Sequence, residues 1–358
     1  MEIPKTEGIK YAGSKLKLLP YIFDIVGELK EIETVLDGFS GSTRVSQAFA
    51  QMGYSTCSND IAIWSEVFAT CYLISNQSDA YYQKLIDHLN NLHGVDGWFT
   101  ENYGGSDSEI KKPFQINNTR KLDVIRDEIE FLNLPWVDKC VLLTSLIYAM
   151  DKVDNTMGHY VAYLSDWSQR SYKDLQLKLP QRFSPTGQNC VIRDDIFNTV
   201  AKNRYDLAYF DPPYGSNNEK MPPSRVRYAA YYHLWTTIIK NDKPPLFGKA
   251  NRREDTRDNI SGSVFEEFRK SSNGDFKAML ALRKLITETN TRYLLLSYSS
   301  GGRATKQQLI DIIAESGKLL EIKLIDYKRN VMSSMCSTNE WINSDNKHHE
   351  YLFLMEKI

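Results

Sequence analysis

Residues 35–52 read Val-Leu-Asp-Gly-Phe-Ser-Gly-Ser-Thr-Arg-Val-Ser-Gln-Ala-Phe-Ala-Gln-Met. Val35, Leu36 and Asp37 form a short apolar run that ends in an acid, the pattern of a buried strand. Residues 38–42 make a turn rich in small side chains. Residues 43–52 then place apolar Val45, Ala48 and Phe49 on one helical face. Strand, tight turn and helix together bring backbone close to a ligand at the carboxyl end of a strand.

Working outward, residues 54–60 give a second strand ending in Asp60. Its separation from Asp37 is close to that at which a second-strand acid meets ribose hydroxyls. The turn lacks the third glycine of G-x-G-x-x-G, which weakens a nicotinamide reading. Residues 190–195 predict a third strand capped by Asp194 and Asp195, residues 205–210 a fourth and 291–298 a fifth. A helix over 305–316 and strands over 318–327 and 349–355 follow, compatible with an antiparallel hairpin at a sheet edge. An apolar helix is predicted near the start, over about residues 16–29. The fold class is α/β: a Rossmann-like, mostly parallel sheet with an antiparallel edge strand.

Two stretches interrupt that alternation. Residues 76–186 are helical in pattern, clearest over 80–93, 118–133 and 136–152, and predict an inserted helical domain. Residues 1–75 and 187–358 then form one discontinuous domain. Residues 216–275 are a second insert, rich in Lys, Arg, Asn, Gly and Pro.

The chain has 358 residues and a formal net charge of −1, which is not the footprint of a generic nucleic-acid binder. Positive charge is instead local. From Lys220 to Arg257 nine basic residues stand against Asp242, Glu254 and Asp255, a balance of +6. That run reads either as a solvated loop or, given its position after residue 214, as a source of phosphate contacts. No apolar run approaches the roughly 18–20 residues that span a bilayer, and the first residues carry no export signal. Five scattered cysteines without a CxxC pair argue against zinc and against a disulfide framework, and fit a reducing cytoplasm.

The sharpest chemistry lies at Asp211-Pro212-Pro213-Tyr214, just past the fourth strand. Proline fixes φ and removes a donor, so the loop is stiff and its carbonyls stay available. Asp211 and the Pro212 carbonyl can take the two hydrogens of an exocyclic NH2 while Tyr214 stacks on the ring that carries it. The plainer reading is a proline turn ending in a surface tyrosine. Lys10-Tyr11-Ala12-Gly13-Ser14-Lys15 suits a ligand with a ring and a carboxylate, or is only the start of a helix. In residues 153–160, Asn155, Thr156 and His159 can read bases or hold phosphates, or can join two helices; His159 reads as structural rather than as a general base. Residues 231–235, Tyr-Tyr-His-Leu-Trp, read as a helix packed on the sheet with His233 near the site. His348-His349-Glu350 reads as a surface segment rather than a metal site. Phosphate-loop, serine-elbow and zinc-protease motifs do not occur.

Taken in order, Lys-Tyr-Ala-Gly-Ser-Lys at 10–15, Asp-Gly-Phe-Ser-Gly-Ser at 37–42, Asn-Asp at 59–60, a helical insert, Asp-Asp at 194–195 and Asp-Pro-Pro-Tyr at 211–214 resemble the D12 class (alpha group, Dam-like) of N6-adenine DNA methyltransferases. The resemblance spans the chain. It implies a fold binding S-adenosylmethionine, with residues 76–186 as the target-recognition domain. It implies Tyr11, Lys15, Asp37, Phe39, Gly41, Asp60, Asp195 and Asp211 as donor-binding residues, with Asp194 the alternative to Asp195. Asp211, Pro212, Pro213 and Tyr214 are the expected catalytic residues, and no metal is expected. Candidate contacts to double-stranded DNA are Arg225, Arg227, Arg252, Arg253, Asn155, Thr156 and His159. One departure stands out: Thr43 replaces the last glycine of the family loop. A separately acting restriction endonuclease is a further expected partner, and cytoplasm without membrane attachment the expected location. Methylation of ribosomal RNA adenine or of cytosine N4, and a catalytically silent DNA-binding module, are the competing readings.

Overall fold

The computed structural model describes residues 2–106, 112–215, 227–327 and 348–358. The chain divides into two compact units: Met1–Phe23, Ser40–Asp195 and Val226–Gly262 form the first, and Asp24–Phe39, Ile196–Arg225 and Ser263–Ile358 the second. The main strands are β1 (Thr34–Asp37), β2 (Ser55–Asn59), β3 (Cys190–Ile192), β4 (Tyr205–Phe210), β5 (Thr291–Ser299), β6 (Gly317–Tyr327) and β7 (His348–Lys357).

In the second unit the strands run in the order β6–β7–β5–β4–β1. β1, β4 and β5 are parallel, while β7 is antiparallel to both β5 and β6. This is the expected mixed α/β architecture, a mostly parallel sheet with an antiparallel edge. The final two strands form the expected antiparallel pair at the sheet edge, with β7 lying between β5 and β6. Burial gives the reason. Leu352, Phe353, Leu354 and Met355 of β7 are buried on both faces, as are Leu294, Leu295 and Leu296 of β5. β6 instead exposes Lys318, Leu324 and Asp326, and charge on an outer strand discourages pairing with other chains.

In the first unit β2 and β3 are parallel, with Cys57 opposite Cys190. The two are joined by a disulfide with their Cα atoms 4.6 Å apart. The expectation of no disulfide is corrected here, because a separation of 133 residues hides this pair from any reading of local cysteine spacing. Helices Asp79–Asn91, Ile116–Phe131 and Trp136–Val153 form as predicted, within two residues at each end. Their apolar faces meet in one core containing Ile86, Leu122, Ile125, Leu142 and Ile147. Helix His233–Lys240 joins this helical core through Leu234, Trp235 and Ile238, so the expectation that it packs on the sheet is corrected. Arg126, 1 % exposed, donates its Nη2 to the Ile239 carbonyl at 2.9 Å and so satisfies the carboxyl end of that helix. The predicted first helix is shorter than its apolar run, covering Leu19–Val26. No helix among the described residues is long and apolar enough to cross a membrane.

Candidate active site

In the second unit, parallel pairing sets Asp37 of β1 beside Tyr209 of β4. Asp37, Phe39 and Asp211 therefore emerge at carboxyl ends of neighbouring strands, where open α/β sheets hold ligands. The Gly38 N–H donates to the Tyr209 carbonyl at 2.9 Å. A Cβ at Gly38 would lie 2.5 Å from the Phe210 ring, so this approach admits only glycine. Phe39 packs edge-on against Phe210 and Phe265, with centroids 6.0 and 5.3 Å away.

The turn after β4 is held at both ends. Pro212 is buried, and Pro213 and Tyr214 are half-buried. The Tyr214 carbonyl accepts from the Arg303 N–H at 2.7 Å and from the Tyr298 hydroxyl at 3.1 Å. Its ring rests 4.8 Å from that of Tyr298. Its hydroxyl donates to Asp211 Oδ1, and lies 2.6 Å from Glu350 Oε1 and 3.2 Å from Ser297 Oγ. Burial, and after it the Asp211 and Glu350 carboxylates, raise the Tyr214 phenol well above its ordinary pKa. Tyr214 is thus tied inward, not a loose surface ring. Glu350 was expected at the surface with the two histidines before it; at 8 % exposure it is buried against this turn. The signal is the apolar run 351–355 that directly follows: it marks a strand buried on both faces, which Glu350 joins.

In the first unit a second cluster forms around Tyr11. Its ring stacks on Tyr232 at 4.7 Å and 15°, and Tyr232 stacks on Trp235 at 4.2 Å. The Ala12 N–H donates to the Tyr232 hydroxyl at 2.7 Å. Residues 228–235 therefore act as a platform for the amino-terminal motif, a role their sequence did not suggest. Burial, and secondarily Asp60, push the Tyr11 phenol well above its ordinary pKa. Lys15 is buried, with Nζ on the Gly13 carbonyl at 3.2 Å.

Asp60 accepts the Gly41 N–H on Oδ2 at 2.8 Å and the Ala62 N–H on Oδ1 at 2.9 Å. Burial raises its carboxyl pKa. Gly41 has φ +49°, and a Cβ there would meet the Tyr11 ring at 2.9 Å. The bare backbone at 41 is a cradle that a side chain would fill. Thr43 adopts φ 63° and ψ 11°, the left-handed backbone that a glycine would take without strain. Asp195 is exposed, and its N–H donates to Asp194 Oδ1 at 2.8 Å.

Several candidate DNA contacts are buried and bonded within the fold. Asn155 is fully buried, and its Oδ1 accepts the Ser168 N–H at 2.9 Å. Thr156, 2 % exposed, donates to Asp154 Oδ2 and accepts the Gly158 N–H at 3.0 Å. Through these hydrogen bonds the two side chains brace the loop. His159 packs on Tyr231 at 4.5 Å, and burial lowers its pKa, which agrees with a structural role. Arg253 is 2 % exposed and pairs with Asp242 at 2.6 Å and Asp255 at 2.8 Å. Its charge is spent inside the fold. Arg252 and Arg227 are half-buried, and Arg225 lies outside the described residues. His233 is fully buried with Nε2 on the Tyr160 carbonyl at 3.0 Å, and burial lowers its pKa to about 4.

A mostly parallel sheet with an antiparallel strand beside its edge, and acids at the carboxyl ends of its strands, define a Rossmann-like methyltransferase. The chain belongs to the D12 class N6 adenine-specific DNA methyltransferase family, whose pattern matches residues 11–299. Methyltransferases of that family depend on S-adenosylmethionine. The chain is 31 % identical to modification methylase StsI of Streptococcus sanguinis, over 98 % of this chain and 52 % of that protein. It is 28 % identical to type II methyltransferase M.NlaIII of Neisseria lactamica, over 98 % of this chain and 99 % of that protein. It is 25 % identical to type II methyltransferase M.FokI of Planomicrobium okeanokoites, over 98 % of this chain and 53 % of that protein. The chain thus spans about half the length of the first and third and nearly all of the second.

Proposed function

We propose that this protein transfers a methyl group from S-adenosylmethionine to N6 of an adenine in double-stranded DNA, within a restriction-modification system. The observation that carries this reading is the rigid Asp211–Tyr214 turn, with its carboxylate held at the end of a parallel strand. S-adenosylmethionine, when bound, supplies the sulfonium methyl. Asp60 is assigned to its ribose hydroxyls, its carboxylate held in place by the Gly41 and Ala62 N–H groups. Gly41 offers backbone without a side chain, Tyr11 a ring edge beside it, and Lys15 a cation for a carboxylate. Asp37, Phe39 and Asp195 complete the donor-binding set.

The target adenine has to leave the stack, because N6 is not accessible to the donor inside a duplex. Flipping costs a few kcal/mol, offset by pocket contacts and phosphate binding. Stacking on Tyr214 returns about 1–3 kcal/mol. The amine is a poor nucleophile while its lone pair is conjugated with the ring. Accepting its hydrogens at Asp211 and the Pro212 carbonyl favours a tetrahedral nitrogen as the new bond forms. Fixing the geometry supplies much of the remaining acceleration. Residues 76–186 serve as target-recognition domain, and Arg227 and Arg252, with Arg225, remain the cations assigned to phosphates. A separately acting endonuclease and a cytoplasmic location complete the proposal.

Incubation with labelled methyl donor and duplex DNA, ribosomal RNA or no acceptor tests the reading. Label in DNA, released on digestion as N6-methyladenine, supports it. Label in RNA or at cytosine replaces the substrate, and no label leaves a DNA-binding module.

A further inference from the structure

We infer that Glu350, on the last strand, is a positioning residue for methyl transfer: its carboxyl group fixes the Tyr214 hydroxyl and, through it, the Asp211 carboxylate. The inference rests on residues 211–214 being the corner that holds the amine. Three oxygens, from Asp211 Oδ1, Tyr214 Oη and Glu350 Oε1, lie in hydrogen-bonding sequence, the last two 2.6 Å apart. A phenol brings one hydrogen and cannot donate it to two carboxyl groups at once. Two oxygens at 2.6 Å have a proton between them, so the chain shares its protons as one unit. Ser297 Oγ closes the cluster, 3.2 Å from Tyr214 Oη and 3.3 Å from Glu350 Oε1.

The placement is tertiary. Glu350 pairs in register with Ser299 of β5 and Ile325 of β6, so the sheet fixes its backbone on both sides. Tyr214 is anchored at its other end by Tyr298 and Arg303. With both ends of the tyrosine held, the direction of Asp211 Oδ1 is set before any base arrives. An angular error in a group that accepts a reacting amine acts on kcat rather than on binding.

A double-mutant cycle between Glu350→Leu and Tyr214→Phe decides, with wild-type methylation measured alongside as the separate test of the parent reading. Leucine fills the buried space without a carboxyl group, and phenylalanine keeps the ring without its hydroxyl. Glu350→Leu is expected to lower kcat about 10- to 100-fold, with KM for DNA and donor within about twofold of wild type. The double variant is expected to be no slower than Tyr214→Phe alone, since both remove one chain. Urea unfolding midpoints of the four proteins, measured without donor or DNA, should show the same non-additivity. Glu350→Gln, whose amide can reach the same hydroxyl, should restore most of kcat. A Glu350→Leu enzyme with wild-type kcat, or two effects that simply multiply, overturns the inference. If Glu350→Leu does not fold, the cycle is run with Glu350→Met, which also lacks a carboxyl group, and two effects that simply multiply there overturn it equally.

Discussion

The backbone N–H of Gly41 donates to Asp60 Oδ2 at 2.8 Å, tying the glycine turn to the acid just past β2. With φ +49° and the Tyr11 ring 2.9 Å from the position of a Cβ, this loop has no room for a side chain. Gly41→Ala should cost about 1–2 kcal/mol in backbone strain and displace Tyr11. Donor affinity measured calorimetrically should fall at least about tenfold. An affinity within twofold of wild type would remove Gly41 from the donor cradle.

Asp211→Ala should reduce methylation at least about 100-fold, the scale seen when a group acting mainly in the transition state is removed. Equilibrium DNA binding should stay within about threefold. Wild-type-like turnover in that variant would end the assignment of the corner.

Thr43 is a β-branched residue held in the left-handed region, a conformation that costs of order 1–3 kcal/mol. Thr43→Gly relieves that strain but loses a buried side chain whose Oγ1 accepts from Gln47 Nε2 at 3.1 Å. The two should nearly cancel, leaving stability within about 1 kcal/mol of wild type and donor affinity unchanged. A loss above about 3 kcal/mol in urea unfolding would show that the side chain, not the backbone path, matters there.

Two buried groups titrate in opposite senses. Burial raises Asp154 to about pKa 6, so its contribution to stability is present at low pH and is lost as pH rises through 6. Burial lowers His233 to about 4, so its contribution is present above the ordinary histidine pKa and is lost as pH falls towards 4. Between pH 7 and 4.5 they oppose one another. Asp154→Asn removes the compensating member, and its unfolding free energy should fall about 2 kcal/mol further than wild type across that window. An unchanged pH slope would refute the pairing.

Arg253→Ala leaves Asp242 and Asp255 without their shared cation. Both acids reach solvent, so the loss should be about 1–3 kcal/mol, below the cost of stranding a fully buried charge. DNA affinity of the folded variant should not change by more than about twofold. A large affinity loss at unchanged stability would return Arg253 to the DNA-contacting set.

The strand order along the chain and the three long helices were legible because each leaves a local trace. Apolar runs, helical periodicity and turn residues need only neighbours in sequence. The segment 231–235 was misplaced because an amphipathic helix shows which face it buries but not what covers it. For Asn155, Thr156 and Arg253, polarity marks a side chain that needs partners and is silent on where they lie.

By itself, then, the sequence determined the α/β alternation and the rigid acid–proline–proline–tyrosine corner, since both follow from dihedral limits and side-chain pattern within short windows. Only the tertiary structure decided that β7 runs between β5 and β6, that Glu350 reaches Tyr214 across 136 residues, and that Tyr11 rests on Tyr232. Those relationships depend on which buried faces meet, and that is fixed by packing among segments far apart in the chain.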